Sequence, residues 1–229
     1  MKNKKVASMC VALGLVAVVG VGGTLAYLSA NTGDLTNTFT FTDESISIKL
    51  DEAKIGADNK AVASGDRVDA GNTQAYGDVL PNMVMDKDPT VTVNPKSEEC
   101  NVFVSVVNSN NSSNLNITDL NTNAWQEIDP SNFGYAAADN TKYYVYKGAK
   151  STSTEIEEED QFGVIATSVD PVVLEDVFEH VQAGSNLTKE TTLSPIVVKA
   201  AAVQSDSVTD EIAAQTALGL LGATPNSIG

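Results

Sequence analysis

The chain has 229 residues and sets 14 Lys+Arg against 30 Asp+Glu, a formal net charge of −16. That length suits one domain of β-sandwich size and is enough to bury a core without disulfide staples. A composition of 42% hydrophobic and 19% charged residues is globular rather than disordered. The acidity excludes the ordinary modes of nucleic-acid and anionic-membrane binding, which need clustered Lys and Arg. A single Arg (Arg67) and a single His (His180) exclude a His-rich metal site and leave one imidazole for any catalytic triad.

Lys2, Lys4 and Lys5 form a positive leading region, residues 6–23 carry no charge, and Thr24-Leu25-Ala26 closes the stretch with small residues at its outer positions. This is the pattern of a secretory signal over residues 1–26, cut between Ala26 and Tyr27. Leu28-Ser29-Ala30 is a weaker second cleavage site. The alternative is an uncleaved anchor, since the apolar stretch is near the lower limit for spanning a bilayer. Cys10 lies ahead of most of the apolar stretch, where a lipidated cysteine lies after it, so it reads as an ordinary signal residue. The mature chain then keeps Cys100 alone, with no intramolecular disulfide available. Cys100 is expected as a small buried hydrophobe at the start of a strand. Loss of the three lysines takes the 14 basic residues to 11 against 30 acidic, a net of −19. No stable membrane association is expected after cleavage.

Down the mature chain the β signal dominates. Phe39 and Phe41, then Ile46, Ile48 and Leu50, alternate with polar residues as half-buried strands do. Residues 51–78 read as a long polar loop punctuated by glycine, with a short helix expected near residues 51–55. Leu80-Pro81-Asn82 signals a turn, and residues 90–95 a strand ended by Pro95. Residues 101–107 (Asn-Val-Phe-Val-Ser-Val-Val) are the strongest strand in the chain. An Asn/Ser cluster at 108–114 reads as a loop. Residues 124–128 and 142–147 read as paired strands, Tyr144 and Tyr146 facing one side and Tyr143 and Val145 the other. An acidic run at 155–160 reads as a solvated face. Residues 171–174, 177–181 and 196–204 complete the strands. Residues 208–221 carry helical spacing with an N-terminal turn at Thr209-Asp210-Glu211, and 224–229 read as frayed. These elements predict a mainly β fold, a jelly-roll or immunoglobulin-like β-sandwich with short helices in connections and at the C-terminus. The expected divisions are a signal at 1–26, an N-terminal segment at 27–50, the sandwich at 51–205, and a helix and tail at 206–229.

The motifs for chemistry are sparse. Glu179-His180 has no second His, so a zincin site is unavailable. No Gly-x-Ser-x-Gly elbow presents a nucleophile, no cysteine-protease signature surrounds Cys100, and no phosphate-binding glycine motif is present. Thirty acids always permit a carboxylate pair, so pairing alone carries no weight. Calcium takes loop oxygens, and Asp66, Asp69, Asp86 and Asp88 are the candidates, with Asn72 near the first pair and Lys87 between the second. None matches an EF-hand. The chain is read as a non-enzyme with no cofactor apart from this calcium candidacy.

The segments Gly22-Gly23-Thr24-Leu25-Ala26-Tyr27-Leu28-Ser29, Asn37-Thr38-Phe39-Thr40-Phe41 and Ile46-Ser47-Ile48-Lys49-Leu50-Asp51-Glu52-Ala53 occur in this order. They are followed by Leu80-Pro81, Lys87-Asp88-Pro89-Thr90-Val91-Thr92-Val93, residues 101–106, 174–181 and 196–204. Together they resemble the TasA/camelysin family. The resemblance implies export through a SipW-type signal peptidase and a secreted, matrix or cell-wall location in Gram-positive bacteria. It also implies a jelly-roll sandwich and assembly into biofilm-matrix fibres, as a homopolymer or with other matrix proteins. In such fibres the N-terminal segment of one subunit completes the sheet of the next, which gives Phe39, Phe41, Ile46, Ile48 and Leu50 the part of donor strand. The alternative is that this strand folds into its own sandwich. Some relatives carry a metalloprotease label. A secreted metal-dependent hydrolase and a calcium-dependent adhesion module are therefore the alternative functions, the first without a recognisable zinc motif here.

Overall fold

The computed structural model describes residues 29–31, 45–148 and 162–226. Its centre is β6 (Cys100–Asn108), in which apolar and β-branched residues leave no polar face. Val102, Val104 and Val106 bury one side, and Phe103 with Asn101 and Ser105 buries the other. A strand covered on both faces needs neighbours on both edges to satisfy its backbone. β14 (Ile196–Gln204) pairs antiparallel with all of β6, from Ile196↔Asn108 to Gln204↔Cys100. β10 (Thr141–Tyr146) takes the other edge, with β8 (Trp125–Ile128) beyond it. β11 (Val164–Ile165) pairs with Asn101 and Cys100 further along. β1 (Ser29–Asn31) lies on the outer edge of β14, completing a six-stranded sheet.

The facing layer is split into two smaller sheets. One has the order β12 (Val172–Val173), β5 (Thr90–Val93), β2 (Ile48–Ala53), β3 (Arg67–Asp69). The other has the order β4 (Val84–Asp86), β13 (Phe178–Ala183), β7 (Leu115–Leu120). Ile48, Leu50, Val91 and Val93 from the first, and Met85, Leu115, Phe178 and Val181 from the second, share one core with the valines of β6. Trp125 closes this core. Its ring meets Tyr146 edge-on at 5.1 Å, and its Nε1–H donates to the Glu175 carbonyl at 3.0 Å.

The outer face of the large sheet is covered by α1 (Asp210–Leu220). Thr209 caps it by accepting from the Ile212 N–H, and Asp210 and Glu211 sit in the first turn, where the helix dipole favours acids. Ala213, Ala214, Ala217 and Leu218 are buried against Phe103, Ala201 and Val203. Alanine on both surfaces lets helix and sheet approach closely.

The mainly β expectation holds, with a sandwich whose second layer is divided. Strands at 196–204 and 101–107 appear where expected, and the alternation of Tyr143 to Tyr146 puts Tyr144 and Tyr146 in the sandwich core and Tyr143 and Val145 under the helix. Cys100 is fully buried at the start of β6. Two expectations are corrected. The helix expected near 51–55 is absent because β2 continues through Asp51–Ala53, which pair with Asp69–Arg67 of β3. The tail is not simply frayed, since β15 (Thr224–Pro225) pairs with β9 (Tyr135–Ala136). The C-terminal helix packs into a core cluster of its own with the large sheet. The signal at 1–26 and the acidic run at 155–160 lie outside the described residues. Among the described residues no helix is long and apolar enough to cross a membrane.

Two substitutions test this packing. Leu218→Ala should lower stability by about 2–5 kcal/mol, the cost of a cavity beneath the helix. A Cβ at Gly184 would overlap the Ser113 carbonyl, so Gly184→Ala should cost about 1–3 kcal/mol. Both are checked by urea denaturation. An unchanged midpoint in either variant would mean the helix or the 113–184 contact is not part of the folded core.

Candidate strand-docking groove

β14 is paired unequally. On the β6 side all of its residues have partners, whereas on the outer side β1 covers only Val203, Ala202 and Ala201. Among the described residues no strand pairs with 196–199 on that side. β2 is similar, since β3 covers only Asp51, Glu52 and Ala53 of its outer edge. The two partly covered edges border one groove of about 500 Å³. Leu50, Val68, Tyr76, Val79, Leu193, Ile196 and Val198 supply its apolar walls, and Met85, Leu115 and Val181 supply its floor. Val197 beside it is 40% exposed. An apolar groove bordered by a strand edge has the two features that an added extended chain requires.

A charge network tightens the β2–β3 rim. Asp51 is only 7% exposed and is held by the Arg67 Nε and by Lys49 Nζ at 3.0 Å. Lys49 also meets Asp69 at 2.8 Å, and those two hydrogen bonds hold its ammonium above the usual lysine range. Arg67 extends to Asp88 at 2.8 Å and to the Thr90 hydroxyl at 2.8 Å. Such a network offsets the burial of Asp51. Asp86 accepts from Lys60 at 2.9 Å and from the Ala61 N–H at 2.9 Å. Partial burial opposes ionisation of its carboxyl, but those two bonds prevail and keep it below the usual aspartate range. Tyr76 donates to the Asp86 carbonyl at 2.9 Å, and burial, then the charge of Glu52, pushes its hydroxyl well up.

The four calcium candidates do not converge. Asp69, Asp86 and Asp88 each hold a cationic side chain of the protein, Lys49, Lys60 and Arg67 respectively. Asp66 contributes its carbonyl to the Lys54 N–H at 2.8 Å. Among the described residues no group of three or more His, Cys, Asp and Glu is arranged for a metal ion. His180 is a half-buried strand residue, as expected. Its Nδ1 lies 2.8 Å from Asp119 and its Nε2 3.7 Å from Asp86, with no hydroxyl or thiol partner among the described residues. The Cys100 thiol is pushed up to about 12 by burial, the reverse of what a nucleophile needs.

The expected donor residues divide between two places. Ile46, Ile48 and Leu50 are buried in the chain's own sandwich, where β2 pairs with β5 from Ile48↔Val93 to Asp51↔Thr90. That is the alternative set beside strand donation at the outset. Phe39 and Phe41, and the cleavage pair Ala26 and Tyr27, lie outside the described residues. The β14 edge was not singled out by sequence reasoning. Its signal is the run Ile196-Val197-Val198 directly after Pro195, apolar on both faces where one face lies beyond the helix. No protein-family model, no curated protein and no solved structure matches the chain.

The Asp86 tie gives a pH prediction with a defined sign. A folded-state pKa below the ordinary value of about 3.9 contributes stability above that pH, and the contribution is lost as pH falls through the folded value. Asp86→Asn should therefore lower the melting temperature near neutral pH and lose less than the wild type between about pH 4 and pH 2. Parallel melting curves over that range would show that Lys60 and Asp86 contribute nothing as a charged pair.

Proposed function

We propose that the chain is a secreted structural protein of the extracellular matrix or cell surface, polymerising by exchange of its N-terminal strand. The observation that carries this reading is that, among the described residues, β14 pairs with β6 along its whole length, while its outer edge pairs with β1 at 201–203 and with no strand over 196–199, beside an apolar groove. Three residues of β1 form a short contact, so replacing it with the same strand from a neighbour sacrifices little and can be extended along 196–199. Donation of this kind is head-to-tail and does not close, so it generates filaments. The leading segment with its small-residue cleavage motif, and the resemblance of the ordered landmarks to the TasA/camelysin family, support the same reading. The competing readings have less behind them: three of the four carboxylates that calcium would take, Asp69, Asp86 and Asp88, are bound to lysine and arginine, and the lone imidazole lies against the carboxylates of Asp119 and Asp86.

The structure of the core defines how to test it. A deletion must stop at residue 44, because Ile46, Ile48 and Leu50 belong to the sandwich. Removing residues 27–44 should give folded, soluble monomers, while the mature chain gives threads by negative-stain electron microscopy. Threads from the truncated chain would overturn strand exchange. Because subunits of net −19 repel each other, thread formation by the mature chain should accelerate with added salt. A rate indifferent to ionic strength would place the charge away from the contact.

A further inference from the structure

In the wall of the groove, three side chains from distant parts of the sequence meet. Lys87 Nζ contacts Glu52 Oε2, and Gln74 Nε2 donates to the other oxygen, Glu52 Oε1, at 2.8 Å. Lys87 and Glu52 are 11% and 18% exposed. An amine and a carboxamide are thus held on opposite oxygens of one shielded carboxylate. The carboxamide is also fixed in orientation. Its Oε1 accepts from the Ile55 N–H at 2.8 Å, and its Nε2 donates to the Ala53 carbonyl at 2.9 Å. Exchanging O and N would set donor against donor at Ile55 and acceptor against acceptor at Ala53.

We propose that Glu52, Gln74 and Lys87 form a site for an intramolecular isopeptide bond. Glu52 accepts a proton from the Lys87 ammonium, which frees the amine lone pair. The amine attacks Cδ of Gln74, forming the new C–N bond, and the carbonyl electrons move onto Oε1. The Ile55 N–H already points at that oxygen, where negative charge develops. Glu52 passes the first proton to Nε2, takes the second from the attacking nitrogen as the intermediate collapses, and hands it to the ammonia once released. The old C–N bond breaks and ammonia leaves. One lysine amine and one glutamine carboxamide become one secondary amide and one ammonia, with Glu52 regenerated and no oxidant or cofactor required. The step requires rotation about the outer bonds of the lysine side chain to bring the amine about 3–3.5 Å from Cδ.

The product would tie the 70–78 segment covalently to the chain following β4, in a molecule whose described residues hold one cysteine and no disulfide. This inference does not depend on fibre formation. It is tested on the full chain purified from its native host, with the N-terminus sequenced and the intact mass measured. The expected mass is lower than the sequence mass by one ammonia, and protease digestion should yield a branched peptide joining Gln74 to Lys87. Glu52→Gln and Lys87→Arg should each restore the full mass and abolish the branched peptide. The full sequence mass in the wild-type chain would overturn the proposal and leave a plain ion pair. So would loss of water in place of ammonia, or loss of ammonia mapped to another residue.

Discussion

The burial of β6 on both faces is the constraint on which the rest of the molecule depends. Val102, Val104 and Val106 demand an apolar layer on one side, and Phe103 demands another on the opposite side. The first demand is met by two small sheets, the second by an alanine-rich helix. Backbone groups in such a strand have no water to turn to, so both edges must be paired. β10 and β14 do this, and β14 then becomes the last long strand on its side. The position of the groove follows from that sequence of requirements rather than from any residue placed there for binding.

The same logic separates what is structural from what is open. Carboxylates at the β2–β3 rim are used internally, with Asp51 gripped by Arg67 and Lys49 and with Asp69 gripped by Lys49. These pairs hold a narrow sheet edge together where β3 offers only Arg67, Val68 and Asp69. In a chain with 14 basic residues against 30 acidic, concentrating cations there leaves other surfaces strongly acidic. The proposed strand exchange along β14 would therefore be a balance between backbone pairing and like-charge repulsion.

Much of the fold was legible because the relevant signals are local. β6 and β14 are continuous apolar runs, the tyrosines of β10 alternate strictly, and Thr209 announces the helix. β7 was not legible: Leu-Asn-Ile-Thr-Asp-Leu mixes strand formers with Asn and Asp, and only pairing with β13 makes it a strand. β3 was missed because its placement depends on Arg67 reaching Asp51 and Asp88, which are remote in sequence. The groove and the Glu52–Gln74–Lys87 cluster are assembled from separate segments in the same way, and no spacing rule records such a meeting. Ile46, Ile48 and Leu50 show the complementary difficulty, since period-two alternation describes a donated strand and a resident one equally well.

The central claim is that the outer edge of β14 is the surface through which copies of this chain join. Hydrogen exchange on peptides covering residues 196–199, in monomer and in assembled threads, tests it most directly. The account predicts rapid exchange of the outward amides in the monomer and strong protection in the threads, with β6 equally protected in both. Threads in which the 196–199 amides exchange as they do in the monomer would contradict it.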